Sequence, residues 1–277
     1  MRVPDQIKKC VAFLGYKRFE ADDERFEFAG SALLLADEKA NSTCIVTARH
    51  VIDGLRKNRV EEIWLRLNNK SGTFEWVSTE ISKWESPKDK SLDIAIFFGF
   101  VKDADHFFLD RELALTPEKA QELSVGVGDE IFITGLFSYY AGNVRNVPIV
   151  RVGNLAAYPE ERIRVKEFGE MDAYLIEVRS IRGLSGSPVF YNAYGSHFGV
   201  FRPSAPYIFS PIQNQSFNLI GIVHGHYRQK SSEENVTDSS IGRGIEEINT
   251  GIAIVVPVAK VLESFDELKE QRLRRTT

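Results

Sequence analysis

The sequence predicts an all-β fold, a sandwich or barrel, finished by one C-terminal helix. Three observations carry this reading. Short runs rich in Val, Ile, Phe and Tyr recur along most of the chain, and Gly, Asn, Asp or Pro separate many of them. Long helical periodicity occurs only at the end, where Val258, Val261, Leu262, Phe265 and Leu268 form one apolar stripe after Pro257. The 277 residues are 43% hydrophobic and 27% charged, a balance that supports a sizeable core without a disulfide or metal staple.

The predicted strands fall into two series. The first holds Phe26–Ala36, Thr43–Thr47, Glu62–Leu67, Phe74–Glu80 and Leu92–Phe98. The second holds Glu130–Gly135, Ile149–Leu155, Ala173–Val178, Pro188–Tyr191, Phe217–Val223 and Ile252–Val256. Between them, Val101–Val127 carries Asp103, Asp105, Asp110 and Thr116-Pro117-Glu118, and marks the joint between two halves. Arg202–Ser216 and Arg228–Asn249 read as surface loops, which in a cleft enzyme often border the substrate site.

Composition excludes several classes of function. A formal net charge of -4 and a pI of about 5.8 leave no electrostatic footprint for nucleic acid. The cations Arg272, Arg274 and Arg275 suit a solvated helix C-terminus. Cys10 and Cys44 read as unpaired thiols in a reducing compartment. Asp5, Lys8, Lys9, Lys17 and Arg18 interrupt the N-terminal segment, so no signal peptide is expected. No segment approaches the ~20 apolar residues of a membrane span. The expectation is a cytoplasmic protein with no nucleic-acid or membrane partner.

Three short motifs carry chemistry: Thr47-Ala48-Arg49-His50-Val51, Leu92-Asp93-Ile94-Ala95-Ile96 and Gly183-Leu184-Ser185-Gly186-Ser187-Pro188. A serine hydroxyl is a weak nucleophile at neutral pH and needs a base in hydrogen-bond reach. Imidazole suits that task, because its unperturbed pKa lies near 6.5. A buried carboxylate must then hold the ring in one tautomer and stabilise the imidazolium that forms. Backbone N–H groups must face the developing oxyanion, and Gly183 has the backbone freedom to place one.

These motifs resemble the three signatures of bacterial trypsin-like serine peptidases, most of all the glutamyl-endopeptidase and HtrA-type branches. The order His50, Asp93, Ser185 and the separations of 43 and 92 residues are family-like (93 − 50 and 185 − 93). Ala29-Gly30-Ser31-Ala32-Leu33-Leu34 resembles the family's early strand, and Val127–Gly135 the strand that opens the second barrel. Leu219–Val223 resembles the strand after the nucleophile, and Gly251–Ile254 the last strand before the C-terminal helix. Together the similarity covers roughly residues 25 to 268.

The resemblance implies one chymotrypsin-like domain of two six-stranded antiparallel β-barrels with a C-terminal helix. Residues 1–115 would carry His50 and Asp93, and residues 116–277 would carry Ser185 and the helix. It implies a serine endopeptidase acting on protein or peptide substrates without a cofactor: Ser185 the nucleophile, His50 the base, Asp93 its orienting acid. The amides of Gly183 and Ser185 would form the oxyanion hole. Arg179, His224, Gly225 and His226 fall where the family lines its primary pocket, and the three side chains would favour an acidic residue before the cleaved bond. A metal reading of His224-Gly225-His226 lacks a third ligand in the sequence.

Leu184 departs from the family by replacing a polar residue, and Ser187 replaces a glycine. Two alternatives follow: a catalytically silent binding module, or a protease inactive until a regulatory protein partner orders the segment Ser180–Ser185. An α/β-hydrolase is disfavoured, since that fold orders its triad Ser, acid, His. Asp53, Asp89, Ser180 and Ser187 are weaker rivals for the acid and the nucleophile.

Overall fold

The computed structural model describes all residues except 1, 21–22, 102–103, 159–160, 166–167, 179–182, 194–202, 206–207, 210–216, 231–246 and 277. Its first part contains α1 (Asp5–Lys8), β1 (Val11–Glu20), β2 (Asp23–Asp37), β3 (Ser42–Thr47) and α2 (Arg49–Lys57). β4 (Glu62–Asn68), β5 (Phe74–Glu80), β6 (Ala95–Phe98) and β7 (Phe108–Asp110) follow. β2 is 15 residues long. It pairs with β1 along most of its length, then with β3 and β7 at its end, and this change of partners curls the sheet.

The second part opens with α3 (Pro117–Glu122), β8 (Glu130–Gly135) and β9 (Ile149–Ala157). The hairpin β10 (Ile163–Val165) and β11 (Gly169–Met171) leads to β12 (Tyr174–Glu177) and β13 (Pro188–Asn192). The short β14 (Pro203–Ala205) and β15 (Ile208–Phe209) join the edge of the first sheet through a parallel pairing with β7. Finally β16 (Phe217–Lys230), β17 (Glu247–Pro257) and α4 (Val258–Thr276) complete the chain. Six of these strands close a barrel in the order β12-β17-β16-β13-β8-β9.

The expectation of two closed barrels is therefore met once. The first sheet remains a curled half-barrel, with β5, β6 and β14 at its open edges. The chain after β5 turns through a 3₁₀ turn (Ile81–Lys83) and then meets Pro87, which lacks the N–H a ladder needs. Only one antiparallel bridge, Glu85 to Ile96, reaches β6 from that side.

The predicted helix is present, and its stripe is buried where the two sheets meet. Val258, Val261, Phe265 and Leu268 pack with Leu33, Val46 and Ile96 of the first sheet and Phe132, Ile254 and Val256 of the barrel. Each such side chain contributes about 1.5–3 kcal/mol when fully removed from water. Two other clusters fill the half-barrel and the barrel, and both reach the motifs around His50 and Ser185: Val51, Ile52 and Leu55 of α2 lie in one, Leu184 in the other.

Sequence reading missed β1 and α2. β1 carries charges because Lys17 and Arg18 pair across the hairpin with Glu24 at 2.5 Å and Glu27 at 3.0 Å. α2 has nine residues, five of them charged or His, too few apolar positions for a legible period. The predicted loops at 202–216 and 228–249 lie largely outside the described residues; β16 extends to Lys230 and β17 starts at Glu247. No helix of the described residues is long and apolar enough to cross a membrane.

Candidate active site

β3 delivers His50. The strand ends at Thr47, Ala48 precedes α2, and the helix buries its apolar face against the half-barrel. Ala48 offers no side-chain cap to the helix. Asp93 supplies the missing acceptor: its Oδ1 takes the His50 amide at 2.8 Å, a placement that also sets a carboxylate against the positive end of the helix. Asp93 was expected to start a strand. It lies two residues before β6, in extended chain between Leu92 and Ile94, and is fully buried.

Oδ2 of Asp93 accepts from Nδ1 of His50 at 2.8 Å, and Nε2 of His50 stands 3.1 Å from Oγ of Ser185. Burial by itself would raise the Asp93 pKa. Hydrogen bonds from His224 and His50 outweigh it and hold the carboxyl far below the usual range. Asp93 is thus an ionised acceptor, and the proton on the facing nitrogen belongs to His50 Nδ1. That tautomer leaves Nε2 as the acceptor toward Ser185.

The turn that carries Ser185 depends on two left-handed glycines. Gly183 has φ +99° and Gly186 has φ +82°, backbone conformations that disfavour a side chain. A Cβ at Gly186 would also stand 2.2 Å from Ser31 O. The Gly186 amide donates to Val223 O at 2.8 Å, and the Val223 amide donates to Ser187 O at 2.9 Å. These bonds tie the turn to β16. The Leu184 side chain points into the barrel core with Ile133, Val189 and Val223 and is 1% exposed. Its apolar character is explained by that packing.

Ser31, which sequence reading quoted but gave no role, clamps the same turn from the other sheet. Its amide donates to Ser185 O at 2.9 Å, and its Oγ donates to Gly183 O at 2.8 Å. The Leu136 amide donates to Ser31 Oγ at 2.9 Å, and Thr47 Oγ1 donates to Ser31 O at 2.7 Å. The Gly30-Ser31 pattern was the available signal. Among the described residues, the amides of Gly183 and Ser185 donate to no protein group.

The rival acids are engaged elsewhere. Asp53 pairs with Arg49 at 3.1 Å and Arg56 at 3.2 Å, and Asp89 accepts from Ser91. Ser187 Oγ is buried against Gly135, and Ser180 lies outside the described residues, as does Arg179.

Of the proposed pocket residues, Gly225 pairs with Ile254 on β17, and a Cβ there would meet nothing within 4 Å. His226 pairs with Ala253 on the same strand. His224 sits at a register shift between Val223 and Gly225, and its ring turns inward. Nδ1 of His224 lies 2.5 Å from Oδ2 of Asp93, and its carbonyl stands 3.2 Å from Ser185 Oγ, a second acceptor for the one hydroxyl proton that His50 Nε2 also faces. Phe168, from the β10–β11 hairpin, lies edge-on to both imidazoles, at 5.1 Å from His224 and 6.5 Å from His50. Nothing in the sequence signalled Phe168.

His50, Asp93 and His224 converge, and His226, the other histidine of the His224-Gly225-His226 motif, is not in that cluster. Its N···O separations of 2.8 and 2.5 Å are those of N–H···O bonds. Ligand atoms around a tetrahedral zinc at about 2.0–2.1 Å stand about 3.3 Å from one another.

No family model matches the chain, and no curated protein matches it. Solved structures do. Deg5 is 13% identical over 95% of this chain and 90% of its own, with a TM-score of 0.53. The HtrA-type protease AlgW, solved with a decapeptide, is 15% identical over 94% of this chain, with a TM-score of 0.53; the match spans 64% of AlgW. At such identities the likeness is one of fold: this chain has the trypsin-like serine protease fold of the HtrA-type and Deg proteases.

Proposed function

We propose that the protein is a serine endopeptidase. The observation that carries this reading is the unbroken line from buried Asp93 through His50 to Ser185, at 2.8 and 3.1 Å. Ser185 Oγ attacks the scissile carbonyl as His50 Nε2 takes its proton. The Gly183 and Ser185 amides hold the oxyanion, and Asp93 stabilises the imidazolium. His50 then gives the proton to the departing amine, leaving an acyl-enzyme on Ser185. Water deacylates it, with His50 again as base and then acid.

The substrate class is protein or peptide, read by analogy with the peptide-bound relative. The substrate would lie between residues 1–115 and 116–277, the two halves of one proposed peptidase domain. Gly225 and His226 would border the residue before the cleaved bond, and the family resemblance assigns Arg179 to the same pocket by sequence position alone. With the His224 ring committed to Asp93, any preference for an acidic residue there rests on His226 and Arg179. Two buried, free thiols support a reducing compartment. The test is cleavage of a diverse peptide library by wild type and by Ser185→Ala. Cleavage by wild type alone supports the reading. Equal peptide binding by both proteins without cleavage contradicts it and favours a silent binding module.

A further inference from the structure

A Ser–His–Asp relay uses one imidazole, and this chain places a second on the same carboxylate oxygen. His50 Nδ1 and His224 Nδ1 both reach Asp93 Oδ2, at 2.8 and 2.5 Å. Oδ1 is occupied by the His50 amide. Asp93 therefore has one negative charge for two rings, and as an acceptor it requires an N–H from each. The arrangement is built into the chain. The irregularity in β16 at His224 aims the ring inward, a use to which β-bulges beside active sites are put. Val223 on one side is fixed to the nucleophile turn, and the His224 carbonyl faces Ser185 Oγ. His224 is 8% exposed, and Phe168 packs against its ring.

We propose that His224 is a positioning residue that gates the triad: neutral, it steadies Asp93 for His50, and protonated, it claims the charge of Asp93 and silences His50. The consequence for catalysis rests on the peptidase reading. The groups that face His224 among the described residues are Asp93 from the segment before β6, His50 from α2, the Ser185 hydroxyl and the Phe168 ring. Of these, Asp93 and His50 are the titratable groups, and Asp93 stays ionised. When His50 accepts the Ser185 proton, it needs the full charge of Asp93. With His224 already an imidazolium, a like charge stands across a ring separation of 5.2 Å. That contact weakens His50 as a base. Protonation of the pair is then a coupled, two-step event whose midpoints belong to both rings. The enzyme turns off as pH falls, with one proton on the pair sufficient to slow it and a second to stop it.

The test is the ring ¹⁵N titration of both histidines by NMR in Ser185→Ala protein, paired with the pH dependence of fluorophosphonate labelling of Ser185 in wild type, His224→Asn and His224→Ala. Asn keeps an N–H donor toward Asp93 and cannot titrate. The expected titration is biphasic, with both histidines reporting the same two midpoints. Wild-type labelling should steepen toward second order in protons at low pH. His224→Asn should be first order and retain neutral-pH labelling within about tenfold of wild type, and His224→Ala should fall below it. Independent single-step titrations of the two rings would overturn the proposal, as would identical acid limbs in wild type and His224→Asn. If folded wild type is not labelled at any pH, the peptidase reading fails instead, and the NMR titration alone decides whether the two rings are coupled.

Discussion

Replacing Ser31 with alanine removes one oxygen and tests how the two halves hold the nucleophile turn. Ser31 is fully buried, and its Oγ bridges Gly183 O at 2.8 Å and the Leu136 amide at 2.9 Å. The substitution leaves an acceptor and a donor without that partner. A buried polar group deprived of its hydrogen bond costs about 1–3 kcal/mol. Some relaxation of the turn is available, so the expected loss of stability is about 2–4 kcal/mol. The catalytic effect is separable from the loss of stability. Gly183 O anchors the turn that presents the proposed oxyanion donors, and loss of one such donor lowers turnover about 10²–10³-fold. Partial misplacement should lower fluorophosphonate labelling of Ser185 about 10- to 100-fold. Urea denaturation followed by tryptophan fluorescence measures the first quantity, and the second-order labelling rate at a temperature where the variant stays folded measures the second. A stability change under about 0.5 kcal/mol with labelling within about twofold of wild type would refute the clamp.

Other substitutions probe the remaining parts. Asp93→Asn presents a single carbonyl oxygen where three N–H groups converge and favours the wrong His50 tautomer, so kcat/KM for a cleaved peptide should fall about 10⁴-fold. The same carboxyl has a folded pKa below its unfolded value of about 3.9. Its contribution to stability is therefore full above that value and is lost progressively as pH falls from there toward the folded value; chemical denaturation between about pH 5 and the lowest pH at which the protein stays folded should show a steeper loss in wild type than in Asp93→Asn. Leu184→Asp puts an unpaired charge in the barrel core and should cost about 3–5 kcal/mol in urea titrations, whereas Leu184→Met should cost under about 1.5 kcal/mol. Burial pushes both thiols well above their ordinary range, so Cys10 and Cys44 should resist a thiol reagent at neutral pH until the protein unfolds.

The site residues that were legible in the sequence share one property: each lies in a short, locally distinctive motif bordered by core strands. His50 follows the buried run Cys44–Thr47, Asp93 precedes β6, and Ser185 sits between two glycines whose positive φ the motif anticipates. Residues whose role depends on a partner far along the chain were not legible. The orientation of His224 is hidden because strand alternation fails at the register shift it occupies. Phe168 lies between two three-residue strands, too short for any periodicity, and touches histidines 118 and 56 positions away (168 − 50 and 224 − 168). The closed second barrel follows from well-patterned strands, while closure of the first depends on the chain around Pro87, where a strand pattern stops.

The central claim is that Ser185 is an activated nucleophile. Its most direct test is incubation of the folded protein with a fluorophosphonate at neutral pH, followed by intact-mass measurement and peptide mapping. A single adduct on Ser185, absent from Ser185→Ala and strongly reduced in His50→Ala, is the expected result. A folded protein that takes up no adduct, or carries it on another residue, would contradict the claim.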